Sequence, residues 1–189
     1  MSLKGPTSED KQKIHSEVNQ IVNQRLLLTT LAVTIFGAMI AWLIPKTPPT
    51  QSIPVGGFVY IASVLLTVVL FALFLLSHHL TYMLRLFTTY LDETGSSNWE
   101  NDWSSYRDKF TYLGYTKPQS LVFLLLGVLS AGFPFLLWAA YRFTLEPRAG
   151  AVVVAIIGIL YVIFVSGMGL GGWFAKEDDM RLRWKELNQ

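Results

Sequence analysis

Four long stretches without Asp, Glu, Lys, Arg or His dominate the sequence. They run from Leu26 to Ile44, from Gly57 to Ser77, from Leu121 to Tyr141 and from Ala151 to Phe174. A helix that crosses a hydrocarbon core of roughly 30 Å needs about 20 apolar residues, and each stretch meets that requirement. A soluble domain of 189 residues would have too little amphipathic surface to cover four such helices. The sequence therefore predicts an all-α, polytopic membrane protein in which four transmembrane helices form a four-helix bundle of two hairpins.

Basic residues are concentrated outside these stretches. Of the 15 Lys and Arg residues, only Lys46, Arg142 and Arg148 lie in the two short connections. The other twelve fall in an N-terminal, a central and a C-terminal segment: Lys4, Lys11, Lys13 and Arg25; Arg85, Arg107, Lys109 and Lys117; Lys176, Arg181, Arg183 and Lys185. Because cytoplasmic segments are enriched in Lys and Arg, both termini and the central segment are expected in the cytoplasm.

The segments outside the membrane carry helical patterns of their own. Ile14, Val18 and Ile21 recur at helical spacing, and Thr7 and Ser8 offer a start signal, so a helix is predicted to run from there into the first span. The second span is predicted to continue until Gly95 stops it. We therefore divide the chain into a cytoplasmic amphipathic helix (1–25), a first hairpin (26–82), a cytoplasmic interfacial helical segment (83–118), a second hairpin (119–175) and a cytoplasmic tail helix (176–189).

An aromatic stripe marks the central segment. Trp99, Trp103, Tyr106 and Phe110 follow one another at spacings of four, three and four residues, as on one face of a helix. Beside a membrane, such a face is expected to lie in the interface or to bind a partner.

Small residues four positions apart occur in three spans. They form the pairs Gly37 and Ala41, Gly127 and Ala131, and Gly167 and Gly171. Small residues let helix backbones approach in lipid, so these six positions are predicted to serve helix packing or an oligomer interface. The glycine-rich run from Ser166 to Gly172 resembles a phosphate-binding loop only superficially, because no strand precedes it and no Lys-Ser or Lys-Thr follows.

Residues that could act in catalysis or bind a metal are scarce. The chain has no cysteine and only three histidines, of which His15 lies far from the others and the neighbours His78 and His79 diverge around a helix. The intramembrane polar groups are hydroxyls, which usually bond to their own helix backbone. No nucleophile, nucleotide or metal motif is found, so we expect neither an enzyme nor a cofactor.

Three functional hypotheses remain. The first is a non-enzymatic membrane subunit that lies in the lipid bilayer and forms a homo-oligomer or a hetero-complex with another protein. The second is an oligomeric channel or membrane-depolarising effector. The third is an enzyme with a site at the cytoplasmic interface, near His78, His79, Arg85, Asp92 and Glu93. A net charge of +2 gives no reason to expect nucleic-acid binding. By analogy of architecture alone with small bacterial accessory proteins, the bacterial inner membrane is the expected location.

Overall fold

Four long helices make up the fold. The computed structural model describes residues 7–46, 52–93, 117–141 and 143–170, together with Leu182 and Glu186. The helices are α1 (Ser8–Leu43), α2 (Gly57–Glu93), α3 (Lys117–Ala140) and α4 (Arg148–Gly169). Each is long and apolar enough to cross a membrane. The predicted all-α class with four candidate spans is confirmed, which supports a multi-pass membrane protein.

The first two helices are much longer than a membrane span. α1 has 36 residues and α2 has 37, so each extends for about 55 Å. As predicted, α1 starts at Ser8 and runs without interruption into the apolar stretch. Its N-cap is Thr7, whose hydroxyl accepts a hydrogen bond from the backbone N–H of Asp10 at 3.2 Å, while the Asp10 carboxylate accepts one from the Thr7 N–H at 3.0 Å.

The predicted ends of the second and fourth spans lie outside the described residues. α2 continues to Glu93, and the expected stop at Gly95 is beyond the described range. α4 is described as far as Gly169, within the glycine-rich run, and Phe174, where the span was expected to end, is also beyond the described range.

α2 and α3 each contact all three other helices of the bundle. One buried cluster joins all four helices and contains Ala32, Leu66, Leu70, Phe74, Phe123, Tyr161 and Val165. A second cluster lies towards the start of α2 and α4 and contains Val55, Tyr60, Ala131, Ala151 and Val154. α1 contributes least, because only 6% of its most apolar 18-residue stretch is buried, against 50% in α3.

Helices α3 and α4 approach each other through glycines. A Cβ atom on Gly127 would lie 2.0 Å from the ring of Tyr161, and one on Gly158 would lie 2.8 Å from the Cβ of Ala131. The Tyr161 hydroxyl donates a hydrogen bond to the carbonyl of Phe123 at 2.6 Å. Side chains larger than a hydrogen atom would therefore push these two helices apart.

The segments that precede α2 and α4 each contain a short strand, and the two strands pair with each other. β1 (Ile53–Pro54) pairs in parallel with β2 (Phe143–Thr144), with Ile53 opposite Phe143 and Pro54 opposite Thr144. The backbone N–H of Val55 also donates to the carbonyl of Thr144 at 2.8 Å. The sequence predicts two short connections here, and it gives no signal that they pair.

The glycine contacts generate a first prediction. Gly127→Ala should lower the free energy of unfolding by about 1–3 kcal/mol, because the new methyl group overlaps the Tyr161 ring. Gly132→Ala on the same helix is the matched control, since a Cβ there meets nothing within 4 Å. Thermal unfolding in detergent, followed by circular dichroism, measures both variants. Equal melting temperatures for the two would contradict the packing described above.

Candidate functional site

A buried arginine marks one end of the bundle. Arg25 is the last charged residue before the apolar stretch of α1, and only 7% of its surface is exposed. One guanidinium nitrogen, Nη2, donates to the amide oxygen of Gln119 at the start of α3. The Gln119 amide nitrogen donates in return to the Arg25 carbonyl at 3.0 Å and to the Thr29 hydroxyl at 2.6 Å. Gln119 therefore fixes the register of α1 against α3.

A polar pocket lies beside this contact, where α2, α3 and α4 meet. Its polar lining consists of Ser77, His78, Thr81, Arg85, Gln119 and Ser120. Phe74, Phe123, Met168 and Gly169 complete the wall. The pocket is small: the centre of a water molecule can occupy a volume of about 10 Å³ in it, which is room for about one water. We call it the Arg25-end pocket.

The Arg25-end pocket has basic side chains in or beside its lining. Arg85 is close enough to act electrostatically on both Arg25 and His78, and Arg25 also acts on His78. None of the residues that line the described pocket is an Asp or Glu. The Nε of Arg25 is buried and has no hydrogen-bond partner. A buried guanidinium N–H without an acceptor lowers stability, so the Arg25 side chain is held here at a cost to the fold.

Two residues of the predicted enzyme site, His78 and Arg85, line the Arg25-end pocket. His78 is half-buried and stacks on Phe74, with ring centroids 5.8 Å apart, whereas the neighbouring His79 is exposed. His15 is exposed on the N-terminal part of α1. The side chains of Asp92 and Glu93 lie outside the described part of the chain. Within that part, no three His, Asp or Glu side chains are grouped as metal ligands would be.

The predicted small-residue positions occupy two different environments. Gly127, Ala131 and Gly167 are buried. Gly37 and Ala41 on α1 are exposed, and a Cβ on Gly37 would meet nothing within 4 Å. Gly171 and the aromatic residues Trp99, Trp103, Tyr106 and Phe110 lie outside the described residues. Of the described pairs, only the one on α1 has both members exposed.

Gly37 and Ala41 belong to a longer exposed row on α1. Eight exposed residues follow one another at alternating spacings of four and three, which is the heptad spacing of one helix face: Ser16, Gln20, Asn23, Leu27, Thr30, Thr34, Gly37 and Ala41. We call this row the α1 seam. The buried residues of α1, namely Ile21, Arg25, Leu28 and Ala32, occupy the opposite face. The small-residue pair Gly37 and Ala41 was predicted from the sequence, whereas the spacing that joins it to the rest of the row was not recognised.

The intramembrane hydroxyls bond mainly to their own helices, as predicted. Thr29, Thr30 and Thr34 donate to carbonyls four residues earlier at 2.9–3.0 Å. Thr67 does the same to Ser63 at 2.8 Å, and its hydroxyl also lies 3.0 Å from that of Ser130, which links α2 to α3. These groups are used in packing and in satisfying the backbone.

Comparisons with known proteins return no relative. No protein-family model, no curated protein and no solved structure matches this chain. Function is therefore argued from the geometry above.

The Gln119 contact generates a second prediction. Gln119→Leu should lower the free energy of unfolding by about 1–3 kcal/mol, because the buried Arg25 guanidinium would lose its acceptor. Gln12→Leu, on the exposed surface of α1, is the control for adding an apolar side chain. Unfolding titrated with denaturing detergent compares the two variants with the parent. A loss no larger than that of the control would show that the Arg25–Gln119 contact contributes nothing to stability.

Proposed function

We propose that this chain is a non-enzymatic integral membrane subunit that pairs with a second copy of itself through the α1 seam. The observation that carries the proposal is the seam itself, which lies exposed and uncharged on the face of α1 opposite its buried residues. In this proposal the four helices form two hairpins, both termini lie in the cytoplasm and the membrane is the bacterial inner membrane. The cytoplasmic orientation rests on the distribution of Lys and Arg.

The membrane part of the seam has the composition that helix pairing in lipid requires. Thr30, Thr34, Gly37 and Ala41 are small, and lipid offers no hydrophobic force to bring helices together. Association then depends on close van der Waals contact, which small residues permit. The hydroxyls of Thr30 and Thr34 already donate to their own backbone, so they can be buried against a partner without losing a hydrogen bond.

The cytoplasmic part of the seam favours a second copy of this chain over an unrelated helix. Gln20 and Asn23 carry amides, which both donate and accept hydrogen bonds and are therefore self-complementary. In a parallel pair related by twofold symmetry, each amide faces its own equivalent, and a single Asn at such a position specifies a parallel, in-register dimer. Two copies inserted in the membrane in the same orientation have parallel α1 helices. The membrane topology is therefore compatible with the parallel, twofold-symmetric pair.

Neither of the other two hypotheses has comparable support. His78 and His79 face different surroundings, and the described intramembrane hydroxyls of Thr67 and Ser130, which could otherwise line a channel, are bonded to a backbone carbonyl or to each other. The amphipathic character proposed for residues 1–25 has a direct role in the paired state, because its amide-bearing face becomes the cytoplasmic part of the interface. The central interfacial segment would remain available to a further protein.

Disulfide crosslinking tests the pairing, since the parent chain has no cysteine. Thr34→Cys should form a disulfide-linked dimer in native membranes, because twofold symmetry brings the two seam residues together. Val33→Cys is the matched control: it is exposed at the same depth, yet it points about 100° away from Thr34. The same comparison is repeated in the cytoplasmic part of α1, with Asn23→Cys as the seam variant and Gln24→Cys as its control.

The crosslinking pattern separates the possible outcomes. Dimers at Thr34 and Asn23 that greatly exceed those at Val33 and Gln24 are the expected result. Equal crosslinking at all four positions would indicate random collision and would exclude the seam. A seam-specific crosslink to a protein of different mass would replace self-pairing with a hetero-complex.

A further inference from the structure

We propose that a groove between α3 and α4 holds one acyl chain of a phospholipid whose phosphate group is bound by Arg148. We call it the α3–α4 groove. It lies on α3 and α4, whereas the seam lies on α1, so this inference does not depend on the proposed pairing. It adds a lipid ligand to a chain whose proposed function is to pair with a second copy of itself.

Small residues from both helices form part of the α3–α4 groove. Ala131 and Gly132 on α3 and Ala155 and Gly158 on α4 line it, and a Cβ on Gly132 would meet nothing within 4 Å. Larger apolar residues also line it: Val128, Phe135, Ile159 and Ile163. None of the described lining residues has a polar side chain. The lining therefore suits a hydrocarbon and offers no hydrogen bond to a polar ligand.

The size of the α3–α4 groove suits a single extended chain. Its volume is about 310 Å³, and it extends along α4 from Val154 to Ile163, which is about 14 Å. The mean cross-section is therefore roughly 22 Å². A transmembrane helix is about 10–12 Å wide with its side chains, so its cross-section is several times larger. An acyl chain can lie in such a groove, whereas a partner helix cannot enter it.

A basic residue lies above the groove on the same helix. Arg148 precedes Ala155 by seven residues and Ile159 by eleven, which is close to two and three full turns, so the three lie on one face of α4. Arg148 is exposed, and no ion pair with it, including one with the nearby Glu146, occurs within the described part of the chain. Guanidinium groups match phosphate oxygens well, so a headgroup here would be complementary in charge.

The depth of the α3–α4 groove matches one leaflet of a bilayer. Val154 lies six residues beyond Arg148, about 9 Å, and Ile163 lies fifteen residues beyond it, about 22 Å. The headgroup region and the hydrocarbon core of one leaflet together span roughly 20–22 Å. With Arg148 at the headgroup level, the groove ends near the bilayer centre, where an acyl chain also ends. Trp138, exposed near the end of α3, indicates the same level, because Trp is enriched at the membrane–water interface.

Native mass spectrometry of the full-length protein tests the proposal. The protein is reconstituted in nanodiscs that contain phosphatidylglycerol and is then extracted in detergent, and the phosphatidylglycerol molecules that remain on each chain are counted. Gly132→Leu places a side chain in the groove, and Arg148→Gln removes the phosphate contact. The matched controls are Ala72→Leu, at an exposed position of α2 outside the groove, and Lys46→Gln, which removes an exposed cation at the same end of the bundle.

The parent and both controls should retain one phosphatidylglycerol per chain, and Gly132→Leu and Arg148→Gln should each bind it about tenfold more weakly. No retained lipid in the parent, or equal retention in all five proteins, would overturn the site. Loss in Gly132→Leu alone would overturn the role of Arg148. Arg148→Gln decides the test if Gly132→Leu does not fold. None of these variants should change the disulfide crosslinking at Thr34→Cys, so this proposal and the proposed pairing fail separately.

Discussion

Helix association in this protein depends on how closely α3 and α4 approach each other. Lipid is as apolar as the side chains that it surrounds, so burying more apolar surface contributes little to helix association inside a membrane. The attraction between helices must therefore come from dispersion contacts between closely packed atoms. The energy of these contacts decreases steeply when a gap opens. The Tyr161 ring lies directly against the backbone at Gly127, and the Tyr161 hydroxyl bonds to the Phe123 carbonyl. At these positions the absence of a side chain on one helix lets a ring of the other reach its backbone.

The two faces of α1 differ in composition and in packing. Its inward face carries Arg25 and Leu28 and packs against the rest of the bundle. Its outward face carries no charge from Ser16 to Ala41 along the seam, although charged side chains are common on the solvated surfaces of helices. A helix that only needed to be soluble at one end and lipid-covered at the other would have no reason to keep one uncharged row, made mostly of small and amide side chains with Leu27 between them, through both parts.

Local patterns in the sequence were sufficient to predict the four long helices. Apolar length predicted the four candidate spans, Thr7 marked the start of α1, and backbone bonding by threonines followed from their position inside helices. The contact between Arg25 and Gln119 could not be predicted, because the two residues are 94 positions apart and neither lies in a motif. The β1–β2 pairing was equally inaccessible, since each strand has two residues. Heptad spacing on α1 was present in the sequence, but it could be recognised as an exposed face only once the opposite face was known to be buried.

The paired strands have a mechanical consequence. β1 precedes α2 and β2 precedes α4, so their backbone hydrogen bonds tie the α1–α2 connection to the α3–α4 connection at one end of the bundle. At the other end, α1 and α3 are joined by the side chain of Gln119. Side-chain contacts can exchange partners without unfolding a strand, whereas the strand pair cannot separate without losing its backbone bonds. Relative movement of the two helix pairs would therefore pivot about the strands, and the Arg25 end would open first.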